Sequence, residues 1–574
     1  MYDLINAIKV AKKEKKASIV LKNGNIINVF SGEIIKGDVA IYDTHIVGIG
    51  EKYEGEEEYD VSGYFISPGL IDSHIHIEST MVTIPEFARV VVPLGTTSVV
   101  IDPHEIANVL GLDGIRYMLK SSKYNPLNVF VMLPSCVPAT DMETSGAELR
   151  AFDLLPFLNE DWVIGLAEVM NFPGVINLET EVLDKIRLMA NKVIDGHAPG
   201  LTGYGLNAYI SAGIYSDHEC TTKEEAMEKL RKGMYIMIRE GTVAKNLKDL
   251  ISIVNEKTGR RCLFATDDRH PDDLLKEGHI NYLIKKSVEY GIDPIIAIQM
   301  ATINPAEYFR LYKIHRIGAI APGYAADIVV FNNLKEFKPV LVFKNGTLVA
   351  KEGEYIYKPP IPPREIKVRS TINIKWLTVD DFKIKAKSNK IRVIGIISNQ
   401  LVTKHLIEEA KIENGEVVSD TERDLIKCAV IERHFGSEDV GLGFVKGFEI
   451  KKGAIASSVA HDSHNIIVIG TNDEDMEKAV IHLRKIHGGF CVVENGKVLA
   501  DLPLPIAGLM SNKPMKEVYE NLLKVNEAAY SLGISIKDPF LMLSFLSLPV
   551  IPELKLTDKG LIDVNKFKFV DLFV

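Results

Sequence analysis

Cysteine is scarce: the chain has five in 574 residues, at positions 136, 220, 262, 428 and 491. The number is odd and the spacings run to dozens of residues, which excludes a disulfide framework and any Cys-x-x-Cys metal or redox site. Long apolar runs are missing as well. No stretch approaches the ~18 consecutive apolar residues of a membrane span. The opening MYDLINAIKVAKKEKKAS scatters charges through what a signal peptide needs as an apolar core; the expectation is a cytoplasmic protein with no membrane partner. Positive charge is outnumbered, with Lys+Arg 67 against Asp+Glu 77 and a formal charge of −10. A net acidic chain repels phosphate backbones, so nucleic acid is not expected as a partner. Repeats at a solenoid period, low-complexity tracts, a Gly-x-Gly-x-x-Gly after a strand and a Walker sequence are all absent. With 46% apolar residues the composition is globular, and the length predicts two to four domains.

What is present changes texture along the chain. After a short amphipathic helix with a basic end, residues 17–67 carry β-branched runs separated by Asn-Gly, Ser-Gly and Lys-Gly-Asp, read as hairpin turns. The same texture returns at 317–358, with Asn345-Gly346 as a further hairpin turn. Two β-rich pieces flanking a long middle imply one small β-sandwich interrupted by an insertion, its first part with the helix at 1–67 and its second at 317–358. The middle, 68–316, alternates short apolar runs with helical patterns, which argues for βα units. Its eight strand candidates are YFISPGLIDSHIH, TSVVIDPH, NVFVMLPS, WVIGLAEV, KVIDGHA, GIYSDHE, MYIMIRE and RCLFATDD; eight strands in ~250 residues fit an α/β fold of the (β/α)8 TIM-barrel type. Segments such as LETEVLDKIRLMANK and LLKEGHINYLIKKSVEYG read as the intervening helices. The prolines of PPIPPRE, 359–365, mark an extended linker. Residues 366–574 again alternate strands and helices and are expected to form a C-terminal α+β domain.

Polar residues in the barrel strands gather where a barrel carries its chemistry, at the strand C-termini. Strand one ends in Asp72-Ser73-His74-Ile75-His76, and alternation puts His74 and His76 on one face. Strand four ends in Glu168, strand five in Gly196-His197, strand six in Asp217-His218-Glu219 and strand eight in Thr266-Asp267-Asp268. Four imidazoles and two carboxylates at five strand ends imply a polynuclear metal site in which a central carboxylate bridges two cations. Taken singly, His197 is as readily a hydrogen-bonded loop residue and Glu168 a helix cap; their joint occurrence carries the reading. His104 and Glu105, after strand two, are candidates for supporting or substrate-contacting roles, and so are Arg269 and His270. His461-Asp462-Ser463-His464 forms a dense polar cluster that either closes over the barrel mouth, meets a neighbouring subunit or is a hydrogen-bonded loop.

FISPGLIDSHIHIE at the start of the barrel and GAIAPGYAADIVVF after it resemble the amidohydrolase superfamily. Within it HIHIEST, IDPHEIANVLG, LAEVMNFPGV, DGHAPGL, SDHECT, FATDDRHP and SSVAHDSHN resemble the adenine deaminase branch, over nearly the full chain. The resemblance implies hydrolysis of adenine to hypoxanthine and ammonia by a metal-activated hydroxide, in purine salvage. It implies two divalent cations, Mn2+ first and Fe2+ second, with His74, His76 and Asp267 on one, His197 and His218 on the other, and Glu168 between them. Many relatives bridge with a carbamylated lysine on strand four; VIGLAEVMNF has none, and Glu168 stands in its place. His76-Ile77-Glu78 mimics half of the His-x-Glu…Pro-Cys-x-x-Cys signature of another deaminase class, but the cysteine half is missing. On this reading Asp267 shuttles a proton from water to the leaving amine, while Glu219, Glu105 and His104 are unranked candidates for the acid at ring N1. A homo-oligomer, a dimer, is expected. The rival readings are an amidohydrolase acting on a cyclic amide or another amino-heterocycle, and a barrel scaffold without catalysis.

Overall fold

A computed structural model describes residues 3–359, 368, 370–397 and 400–574. The segments before and after the barrel meet in one nine-stranded sheet. They join where Phe65–Pro68 pairs antiparallel with Ile328–Phe331, Ile66 opposite Val330. The inward side chains of both segments, among them Leu21, Val39, Ile66, Ile328 and Phe343, share one core. Asn345-Gly346 is a genuine hairpin turn, with φ of 47° and 73°, the pair of positive values that a type I′ turn requires. Ser31-Gly32 also turns the chain, between strands Ala17–Asn28 and Glu33–Tyr42. Two other expected turns are corrected. Asn23-Gly24 lies inside the first of these strands as a bulge, where the pairing register shifts between Leu21 and Gly24, and Lys36-Gly37-Asp38 lies inside the second. There glycine answers to crowding rather than turning: a Cβ on Gly37 would stand 2.4 Å from the Gly50 carbonyl oxygen.

The run YFISPGLIDSHIH, read as one strand, is two. Phe65–Pro68 belongs to the outer sheet and Leu70–Ile75 to the barrel. The break falls at Gly69, where a Cβ would meet the Thr97 hydroxyl at 2.0 Å. The barrel strands are β1 (Leu70–Ile75), β2 (Thr96–Ile101), β3 (Asn128–Leu133), β4 (Val163–Val169), β5 (Val193–Gly196), β6 (Ser216–Asp217), β7 (Tyr235–Arg239) and β8 (Cys262–Ala265). β1 to β5 form one parallel sheet and β6 to β8 another. The ring closes from β8 to β1 through a parallel bridge, Ile75 to Asp267, with the Asp267 N–H donating to the His74 carbonyl at 2.9 Å. Between β5 and β6 side chains do the joining: the Gly196 and Ala198 N–H groups donate to Ser216 Oγ and Asp217 Oδ1 at 3.2 and 2.8 Å. The expected single helix over 274–291 is two, Pro271–Lys276 and Ile280–Glu289, because Gly278 at φ 115° ends the first.

The C-terminal portion carries an eight-stranded sheet between Lys390 and Pro503, covered by helices Asp473–Lys485 and Met515–Ser531. It docks on the barrel mouth through buried polar contacts. Ser511 and Thr83 exchange backbone bonds with this joint, Ser511 N–H to Met81 O at 2.8 Å and Thr83 N–H to Ser511 O at 3.1 Å, while Thr557 Oγ1 donates to Met142 O at 2.7 Å. The expected linker at 359–365 lies, from 360 on, outside the described residues. Among the described residues no helix is long and apolar enough to cross a membrane.

Candidate metal centre

The six residues singled out at strand ends converge. Strand alternation points His74 and His76 the same way from the end of β1, and both are buried, 1% and 3% exposed. Their Nε2 atoms lie 3.2 Å apart. Asp267 Oδ1 is 3.5 and 3.2 Å from these nitrogens, and Glu168 Oε1 is 3.8 and 3.4 Å from them. The second oxygen of Glu168 faces the other pair, 2.6 Å from His197 Nδ1 and 3.1 Å from His218 Nε2. One carboxylate at the end of β4 therefore stands between two imidazole pairs supplied by β1, β5 and β6. Asp267 is held at φ 57°, a left-handed conformation that few residues other than glycine and Asn/Asp adopt.

Whether these donors suit cations follows from His76. Its Nδ1 lies 3.0 Å from the Asp102 carbonyl oxygen, which can only accept, so Nδ1 carries the proton and the neutral ring turns a lone pair on Nε2 toward His74 and the two carboxylates. Without cations the same carboxylates favour a second proton on these rings. Burial alone would lower His76 and His218, yet the carboxylates override it, Asp267 and Glu168 for His76 and chiefly Glu168 for His218, raising the first well above its ordinary value and the second to about 9. Glu168, which burial would raise, is held well below the usual range by His197 and His218. Protons thus compensate a concentrated negative charge, and divalent cations at the same donors would displace them. The donor set, imidazole and carboxylate without thiolate, fits the residues to hard or borderline divalent ions.

Around this core the other candidates separate. Glu219 Oε1 lies 3.6 Å from both His197 Nδ1 and His218 Nε2. Its two oxygens are gripped by the Arg239 guanidinium, which also donates to Asp267 Oδ2 at 2.6 Å. Arg239 was missed by sequence reasoning, although the signal was there: it is the last residue of β7, the position that supplies a functional side chain on the neighbouring strands. Burial would raise Asp267, but Arg239 and the imidazoles of His74 and His76 hold it well below the carboxylate range. His104 Nδ1 is 3.0 Å from Asp102 Oδ2 and 3.6 Å from Glu168 Oε1, and its Nε2 is 3.4 Å from Glu105 Oε1. Despite burial, Asp102 and Glu105 keep His104 well above its ordinary value.

Glu105 faces the C-terminal domain. Its Oε1 is 2.8 Å from His461 Nδ1, and its Oε2 accepts from His464 Nε2. His464 Nδ1 accepts the Ala460 N–H at 3.2 Å, so the neutral ring carries its proton on Nε2 and gives it to Glu105. The cluster at 461–464 therefore closes over the barrel mouth. Arg269 does not reach the centre; its guanidinium is fully buried and holds the Glu240 and Gly278 carbonyls and Glu277. His270 lines a cavity between barrel and C-terminal domain.

Residues 65–349 match the amidohydrolase family and residues 400–568 match the adenine deaminase C-terminal domain. The chain is 52% identical over 571 residues to adenine deaminase 2 of Carboxydothermus hydrogenoformans, covering 99% of each chain. It is 50% identical over 569 residues to the adenine deaminase of Desulfatibacillum aliphaticivorans, again covering 99% of each.

Proposed function

The chain belongs to the adenine deaminase family of the amidohydrolases, and from that premise we propose that it hydrolyses adenine to hypoxanthine and ammonia at a binuclear centre. His74, His76 and Asp267 would hold one divalent cation, His197 and His218 the other, and Glu168 both. The observation that carries this reading is Glu168, each of whose oxygens faces its own pair of imidazole nitrogens. Mn2+ or Fe2+ suits a site of imidazoles and carboxylates. When bound, such a pair supplies Lewis acidity and lowers the pKa of water from ~15.7 toward neutrality.

The chain's own residues supply positioning and protons. Arg239 fixes Oδ2 of Asp267 and so keeps Oδ1 aimed at the centre, where it would take a proton from the attacking water and return it to the departing amine. Of the three acids proposed for ring N1, His104 is favoured by geometry. Both its nitrogens face carboxylates, so the ring keeps both protons beside Glu168. Glu219 is committed to Arg239, and Glu105 to His461 and His464. A cytoplasmic setting agrees with five buried thiols, none in a disulfide; a homodimer is open to light scattering. The test is to load the purified chain with Mn2+ or Fe2+ under reducing conditions and follow ammonia release from adenine, adenosine, guanine and cytosine beside a chelated control. Metal-dependent conversion of adenine alone is expected. Silence on all four with about two cations bound would overturn the substrate and point to a cyclic amide.

A further inference from the structure

Resting on that reading, we propose that the purine lies between the barrel mouth and the C-terminal domain, and that Glu78 recognises the N–H of its imidazole ring. Glu78 sits two residues beyond His76, in the short turn Ile77–Thr80. Its side chain is 4% exposed. One oxygen accepts the Ile106 N–H at 3.1 Å, and the other, Oε2, is buried with no donor among the described residues. Leaving such an oxygen unpaired is costly, more so if charged, so the fold leaves it to a donor from outside.

Glu78 lines a narrow cavity with Met81 and Glu105 of the barrel on one side and Phe490, Leu509 and Phe540 of the C-terminal domain on the other. Phe490 and Phe540 stack at 4.7 Å and 13°. The walls are apolar and the carboxylates stand at one edge, as the faces and edge of a planar heterocycle require; because the two phenyl rings are stacked on each other, a purine enters only as this apolar wall gives way. The cavity abuts the centre, because Glu105 in its wall is 3.4 Å from His104, itself 3.6 Å from Glu168. Free adenine carries an imidazole-ring N–H at N7 or N9; adenosine and 9-methyladenine carry none. A site built to bond that N–H rejects ligands lacking it, because Glu78 Oε2 then stays unsatisfied.

The test measures kcat and KM on adenine and 9-methyladenine for the metal-loaded wild type, Glu78→Ala, Glu78→Gln and Phe540→Ala, with metal content by mass spectrometry and Tm as a folding control. The wild type should prefer adenine by ~10²-fold or more in kcat/KM. Glu78→Ala should raise KM for adenine and reduce the preference to a few-fold, with metal content unchanged. Glu78→Gln, which can still present a carbonyl oxygen, should recover much of it. Phe540→Ala should raise KM while keeping the preference. A preference that survives Glu78→Ala in a folded, metal-replete protein overturns the role of Glu78, and an unchanged KM in Phe540→Ala overturns the location. A wild type that releases no ammonia from adenine would instead sink the deaminase reading itself.

Discussion

Two clusters of imidazole and carboxylate lie close together, and they do opposite things with the same residue types. At the strand ends, His76 spends its Nδ1 proton on a backbone carbonyl and turns a lone pair toward His74, Asp267 and Glu168. At the domain junction, His464 accepts a backbone N–H at Nδ1 and turns a proton toward Glu105. The first arrangement collects lone pairs and suits cations; the second pairs donors with an acceptor and joins two domains. What decides is the backbone group at the far side of each ring, so counting His, Asp and Glu within reach of one another does not identify a metal site.

Removing Glu168 should break the contrast most severely. Glu168→Gln deletes the shared charge, and activity should fall by ~10³-fold or more with loss of bound metal, read by elemental analysis beside ammonia release. Asp267→Asn separates holding from proton transfer: turnover should be nearly abolished while metal is largely retained, and full activity would refute the shuttle. The junction should behave differently. His464→Ala leaves Oε2 of Glu105 without its donor in a buried place, so Tm should drop and kcat fall by ~10-fold or more, while metal content stays that of the unsubstituted protein. Loss of one equivalent in that variant would make the junction a third cation site and erase the distinction drawn above. The smallest expected effect is one of pH. Burial would lower His461, but Glu105 raises it to about 9, above the ~6.5 of an unfolded histidine. That joint stabilises fully below ~6.5 and is lost as pH rises through about 9. Tm of the wild type should therefore fall across this window more than that of His461→Gln.

Much of the centre was legible because it is written locally. His74 and His76 share a strand, and His197, His218 and Asp267 each follow an apolar run, so periodicity alone placed them at strand ends. The unread parts depend on distance in sequence. Arg239 reaches Glu219 and Asp267 only once β6, β7 and β8 lie side by side. Glu105 meets His461 and His464 across more than 350 residues, and no spacing rule connects them. Nor does a sequence tell a turn glycine from one that a neighbouring backbone forces: Gly32, at φ 72° with open space around it, is the first kind and Gly37 the second, though both follow a polar residue between β-branched runs.

The joint between β5 and β6 has a consequence for exchange. Every other seam of the barrel carries backbone pairing, whereas this one is pinned by Ser216 and Asp217 side chains. His197 and His218 stand on its two sides, sharing Glu168 Oε2. Breathing of the ring at its weakest seam would pull these two imidazoles apart before it disturbed His74 and His76, which one strand carries together. Were cations held as proposed, the one between His197 and His218 would leave first under a chelator, giving the protein a labile and a resident ion from a ring whose seams are unequal.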